Sequence, residues 1–133
     1  MRSCREITRR DGDAVYEASQ TEHGHLVRGG FLLRFLELKQ YDAWLMLDGD
    51  QVQPAGLLER LRETMETHGL DMVTAHYYGR GTHPVQSFCF PIGDGTWPYL
   101  PYLNPPTTCL HELACVGMGC VLLQREVVEA VQA

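Results

Sequence analysis

Asp48-Gly49-Asp50 places two carboxylates one residue apart. Hard oxygen ligands at that spacing suit Mg²⁺ or Mn²⁺, and such ions usually bridge to substrate phosphates. Gly49 lets the backbone approach a ligand closely. The tripeptide takes its meaning from its setting. It follows the apolar run Ala43, Trp44, Leu45, Met46, Leu47, and Pro54 stands shortly after it. In open α/β sheets, ligands bind beyond the carboxyl ends of the strands. The same tripeptide at Asp11-Gly12-Asp13 lies in a polar segment and reads as a turn. A polar strand-to-helix turn is the plain alternative for the second copy as well.

The elements around the pair follow from hydrophobic periodicity. Residues 2–12 are polar and basic, which predicts a frayed start. Residues 13–19 alternate, with Ala14, Tyr16 and Ala18 on one face, as in a short strand. Over 25–39, Leu26, Phe31, Leu32, Phe35, Leu36 and Leu38 fit a helical period. Gly29-Gly30 weakens that helix by about 1 kcal/mol per glycine relative to Ala, so a start after them is the alternative to a start near residue 25. The run 43–47 suits a strand buried on both faces in a parallel sheet.

Pro54 fits a first helical position, and Leu57, Leu58, Leu61 and Met65 mark one face of the helix it opens. Gly69 fits the C-terminal cap. Residues 71–77 read as the next strand, with His76 inside it as a core histidine. Residues 79–110 hold six of the seven prolines, and Arg80 and Asp94 are their only Asp, Glu, Lys or Arg. Such a stretch predicts a long, structured, functional loop. Strand segments at 112–116 and 120–123 and a closing helix over 126–131 complete the chain. The expected fold class is α/β, one domain over 1–133, with a mostly parallel sheet flanked by helices.

Composition narrows the function classes. The chain has 133 residues, and its formal net charge is 11 − 17 = −6. A basic face for nucleic acid is therefore not expected. Apolar residues make up 44%, enough for a folded core. No apolar run approaches the roughly 20 residues of a membrane helix. Residues 1–10 are Arg-rich and lack the apolar stretch of a signal peptide. The five cysteines are odd in number and form no C-x-x-C pair, which fits free thiols in a reducing cytoplasm. Cys109, His111, Cys115 and Cys120 can be drawn as a zinc site, but Cys115 and Cys120 read as small apolar strand residues.

The stretch YDAWLMLDGDQVQPAGLLERL resembles the D-x-D segment of glycosyltransferases of the GT-A fold, including glycosyltransferase family 2 and its small phage and prokaryotic relatives. HLVRG followed by FLLRFLE is similar to the Arg-containing helix start that precedes that strand. VGMGCVLLQREV is similar to the late V-G-x-G segment and its following helix. The resemblance runs over about residues 13–131. It implies a metal-dependent transfer from a nucleotide-sugar donor to a hydroxyl of a glycan, lipid or protein. Asp48 would then face the ribose or the metal, and Asp50 would ligate Mn²⁺ or Mg²⁺. Arg28 would lie near the nucleotide. An inverting enzyme also needs a carboxylate or His to deprotonate the acceptor.

The chain departs from that family in two places. The usual acid, three residues before the first glycine of V-G-x-G, is Ala114 here. Glu112 shares its strand face and is the leading base candidate, with His111 and Asp94 as rivals. Trp97, Tyr99 and Tyr102 can stack on sugar rings, and Arg80 and His83 can meet phosphate or acceptor. His23 and His25 flank Gly24 near the first helix. The second departure is a short N-terminus, which implies a minimal or truncated GT-A fold. An exposed sheet edge would then invite a homo-oligomer. Two other functions stay open. One is a non-catalytic domain of this kind that binds a nucleotide or glycan. The other is a nucleotidyltransferase, whose Gly-rich basic loop has only Gly29-Gly30 beside Arg28 as a counterpart.

Overall fold

The structure is a computed structural model that describes residues 5–8, 14–17, 24–49, 51–78, 89–93 and 109–132. Strand β1 (Arg5–Thr8) pairs antiparallel with β2 (Ala14–Glu17), with Glu6 opposite Tyr16 and Thr8 opposite Ala14. The segment expected to fray thus contains a strand. Helix α1 (Gly24–Glu37) matches the helix read over 25–39 and runs through Gly29-Gly30, so the later start does not hold. Its later turns bury Phe35 and pack Leu32 and Leu36 on the sheet, and tertiary packing of this kind outweighs local propensity.

The principal sheet contains β3 (Ala43–Leu47), β4 (Met72–Thr74) and β7 (Cys120–Gln124), in the order β3-β7-β4. Strand β7 is antiparallel to both neighbours. Leu45 faces Leu122 on one side, and Val73 faces Leu122 on the other. A second pair joins β5 (Cys89–Pro91) to β6 (Leu113–Val116), also antiparallel. The expectation of a mostly parallel, helix-flanked GT-A-type sheet is therefore corrected: every pairing among the described residues is antiparallel. The physical reason is that an apolar run reports burial and not direction. Strands β3 and β4 do run the same way, but β7 lies between them and reverses the ladder.

The sheet is covered on both faces. Alternation along β7 sends Cys120 and Leu122 to one side, where Leu61 and Met65 of α2 (Leu57–His68) cover them. It sends Val121 and Leu123 to the other, against Phe35 of α1 and Val128 of α3 (Arg125–Gln132). Gly69 caps α2 in the left-handed conformation at φ 60°, as its position predicts. Pro54 is not the first residue of α2. The helix starts at Leu57, and Gly56 at its N-cap has φ 74°. The long stretch after β4 also contains β5, which had been expected as loop.

Arg125 locks the start of α3 to the end of α1. Its guanidinium donates to the carbonyls of Tyr41 (2.7 Å), Leu38 (2.7 Å) and Phe35 (3.2 Å), and it lies 4.2 Å from the centre of the Phe35 ring. Carbonyls at a helix C-terminus lack intrahelical partners, so a cation there satisfies them and complements the helix dipole.

Candidate functional site

The antiparallel placement of β7 creates the site. Its N-terminal end must lie beside the C-terminal ends of β3 and β4. Three segments therefore meet there: Asp48 after β3, Tyr77 after β4, and Gly119 before β7. The Asp48 N–H donates to the Gly119 carbonyl at 2.9 Å, one further rung beyond the β3-β7 ladder. The Gly119 N–H donates to the Tyr77 hydroxyl oxygen at 2.8 Å. Thr74 Oγ1 donates to the Cys120 carbonyl at 2.7 Å and fastens the same end of the sheet.

Gly119 is where side chains converge on backbone. A methyl group there would come within 2.7 Å of Asp48 Oδ2, 2.7 Å of Gln51 Nε2 and 2.8 Å of Tyr77 Cζ. A Cβ there would force the ends of the Asp48 and Gln51 side chains and the Tyr77 ring to shift. Two motifs far apart in sequence, the aspartate pair and V-G-x-G, thus meet at the contact of Asp48 with Gly119. Burial raises the Tyr77 pKa above its ordinary 10.0. The Gly119 N–H contact opposes that rise and the nearby Asp48 charge adds to it.

Beside this cluster lies a cleft of about 310 Å³. Gln51, Gln53 and Pro54 line it from one side, and Ala75, His76, Tyr77 and Tyr78 from the other. Gln53 Nε2 donates to Gln51 Oε1 at 3.0 Å, and the His76 and Tyr78 rings meet edge to face at 4.5 Å. His76 is not the core strand residue expected from the sequence. Strand β4 ends at Thr74, and His76 is exposed beyond it. Partial burial still lowers its pKa from 6.5, which favours the neutral ring.

Other candidates fall elsewhere. Glu112 and His111 are exposed and directly precede β6, in the β5-β6 pair, whereas Asp48 follows β3 of the principal sheet. Ala114 lies on β6 and is exposed. The group drawn as a zinc site does not assemble. Cys109 Sγ is 3.1 Å from His111 Nε2, but Cys120 is buried under α2. Among the described residues, no three His, Cys, Asp or Glu side chains gather into a cation site. Asp50, Arg80, His83, Asp94, Trp97, Tyr99 and Tyr102 lie outside the described residues, as does the side chain of Arg28.

Sequence reasoning missed Tyr77 and Gln51. The signal for Tyr77 was present, since Val73, Ala75 and Tyr77 alternate onto the face covered by α2. No signal marked Gln51. No helix among the described residues is long and apolar enough to cross a membrane. Comparison with protein-family models, curated proteins and solved structures finds no match.

Proposed function

We propose that the chain transfers a sugar from a nucleotide-diphosphate donor to an acceptor hydroxyl. The observation that carries this reading is the convergence of Asp48, Gln51 and Tyr77 over Gly119 at the end of a strand, beside a cleft. A divalent cation of the ordinary kind for such donors would be held by Asp48, the described carboxylate at this end of the sheet, together with the donor's phosphates. Mg²⁺ is commonly bound by one or two carboxylates together with substrate phosphates, and Asp48 supplies a carboxylate at this point. When bound, the ion would stabilise the departing diphosphate as a Lewis acid. The protein's own contribution is to fix Asp48. The hydrogen bond to Gly119 holds its backbone, and the missing Cβ leaves room for its carboxylate.

The test is calorimetric titration of UDP and GDP, with and without Mn²⁺, into the wild type, Asp48→Asn and Asp50→Ala. The expected result is metal-dependent binding by the wild type that both variants lose, followed by release of nucleoside diphosphate in donor screens. Pyrophosphate release would point to nucleotidyl transfer instead. Absence of nucleotide binding by the folded wild type would overturn the reading.

A further inference from the structure

We propose that Cys109 and His111 form a reactive thiol site, at which the chain exchanges with small disulfides and becomes S-thiolated. The site does not depend on glycosyl transfer and uses neither Asp48 nor the cleft. The pair carries it, not the cysteine alone. Cys109 lies at a bend, and His111 follows two residues later, just before β6. Cys109 Sγ stands 3.1 Å from His111 Nε2. A nucleophile and its base work within a reach of about 2.6–3.2 Å. With the ring proton on Nδ1, Nε2 accepts the thiol proton. Both residues are exposed, as is Leu110 between them, so a small disulfide can reach the sulfur.

The chemistry balances without any further reactant. The thiolate, not the thiol, is the attacking species. His111 takes the proton from Cys109. Cys109 Sγ then bonds to one sulfur of the disulfide as the S–S bond of that molecule breaks. The departing thiolate takes the proton back from His111. The disulfide is itself the oxidant, and the products are one mixed disulfide and one small thiol. An acyl donor suits the pair less well. Acyl transfer needs hydrogen-bond donors aimed at a developing oxyanion, whereas exchange develops its charge on sulfur alone. The other described cysteines supply the contrast. Cys89 in β5 and Cys120 in β7 are 5% and 1% exposed, and Cys115 in β6 is half-buried opposite Phe90. Burial of this kind leaves a thiol inert.

The experiment treats the folded full chain with hydroxyethyl disulfide at pH 7. This probe is neutral, so the net charge of −6 neither attracts nor repels it. Digestion under acid and mass spectrometry then follow the mixed disulfide at each cysteine over time. Cys109 should react about ten-fold faster than Cys115, while Cys89 and Cys120 stay unmodified. His111→Gln should slow Cys109 by about ten-fold and leave the rate at Cys115 unchanged. A general loosening of the β5-β6 pair would instead speed Cys115 and Cys89, so the two causes are separable. Two results overturn the proposal. One is a rate at Cys109 no greater than that at Cys115. The other is an unchanged Cys109 rate in His111→Gln, which would make the thiol merely accessible.

Discussion

At the scale of single residues, Gly119 and Tyr77 are the sharpest points in the molecule. Gly119 has no left-handed backbone requirement, so its role is spatial: Asp48, Gln51 and Tyr77 occupy the volume a Cβ would take. Gly119→Ala should retain the fold with a loss of about 1–3 kcal/mol, the usual cost of overpacking. It should weaken metal-dependent nucleotide binding by about ten-fold or more, because a displaced carboxylate no longer meets its ligand. Thermal melts beside calorimetry separate the two effects. Equal nucleotide affinity in the variant would remove Asp48 from the binding site. Tyr77 makes a pH prediction. Its folded pKa is raised above the unfolded 10.0, so above pH 10 the unfolded chain releases this proton more readily than the folded one. The contribution of Tyr77 is complete below pH 10 and is lost as pH rises past it. Tyr77→Phe should therefore flatten the alkaline fall in stability, measured by urea titration at pH 8 and above pH 10. An unchanged slope would mean that the hydroxyl is not desolvated.

At the scale of elements, Arg125 does for the sheet what capping does for a helix. Three carbonyls near the end of α1 converge on one guanidinium that is 13% exposed, at the junction of β7 and α3. Hydrogen bonds to a charged group contribute about 1.5–3 kcal/mol apiece at most, and without the guanidinium the Phe35 and Leu38 carbonyls keep only their backbone N–H donors, Leu38 at 3.1 Å and Tyr41 at 3.4 Å. Arg125→Ala should cost about 3 kcal/mol by chemical denaturation. A loss below about 0.5 kcal/mol would show that water replaces the guanidinium, as happens for surface pairs. This anchor was hard to read from the sequence, because one arginine among several carries no periodic signature. The elements themselves were more legible. The β3 run was located to the residue, and Gly69 was read as a cap from its place after an amphipathic stretch. Strand direction was not legible, because the apolar run of β3, partly buried at Ala43 to Met46 and exposed at Leu47, follows equally from a parallel neighbour or from β7. The site was half legible. Asp48 and Gly119 stood out by motif. Tyr77 and Gln51 join them only because β7 folds back between β3 and β4, a long-range pairing that no local pattern encodes.

At the scale of the whole molecule, the principal sheet carries two cores that share a single strand. Leu122 faces Leu61, Met65 and Val73, while its neighbour Val121 faces Phe35 and Val128. Both residues are essentially fully buried. The two cores communicate through the backbone of β7, whose ladders to β3 and β4 must form or break together. A strand bonded on both sides cannot release one face while keeping the other, since loss of either core frees the same hydrogen-bonded backbone. The molecule should therefore melt the two cores as one cooperative unit. Leu122→Ala should cost about 2–5 kcal/mol, and Val121→Ala somewhat less for its smaller side chain. Each should lower one common midpoint, followed in parallel by Trp44 fluorescence on the Val121 side and by exchange of the α2 amides on the Leu122 side. If Val121→Ala moved the Trp44 signal while the α2 amides kept their wild-type protection, the cores would be independent. Asp48, Gly119 and Tyr77 meet at the end of that same strand, so cooperative melting would also make the candidate site as stable as the sheet that builds it.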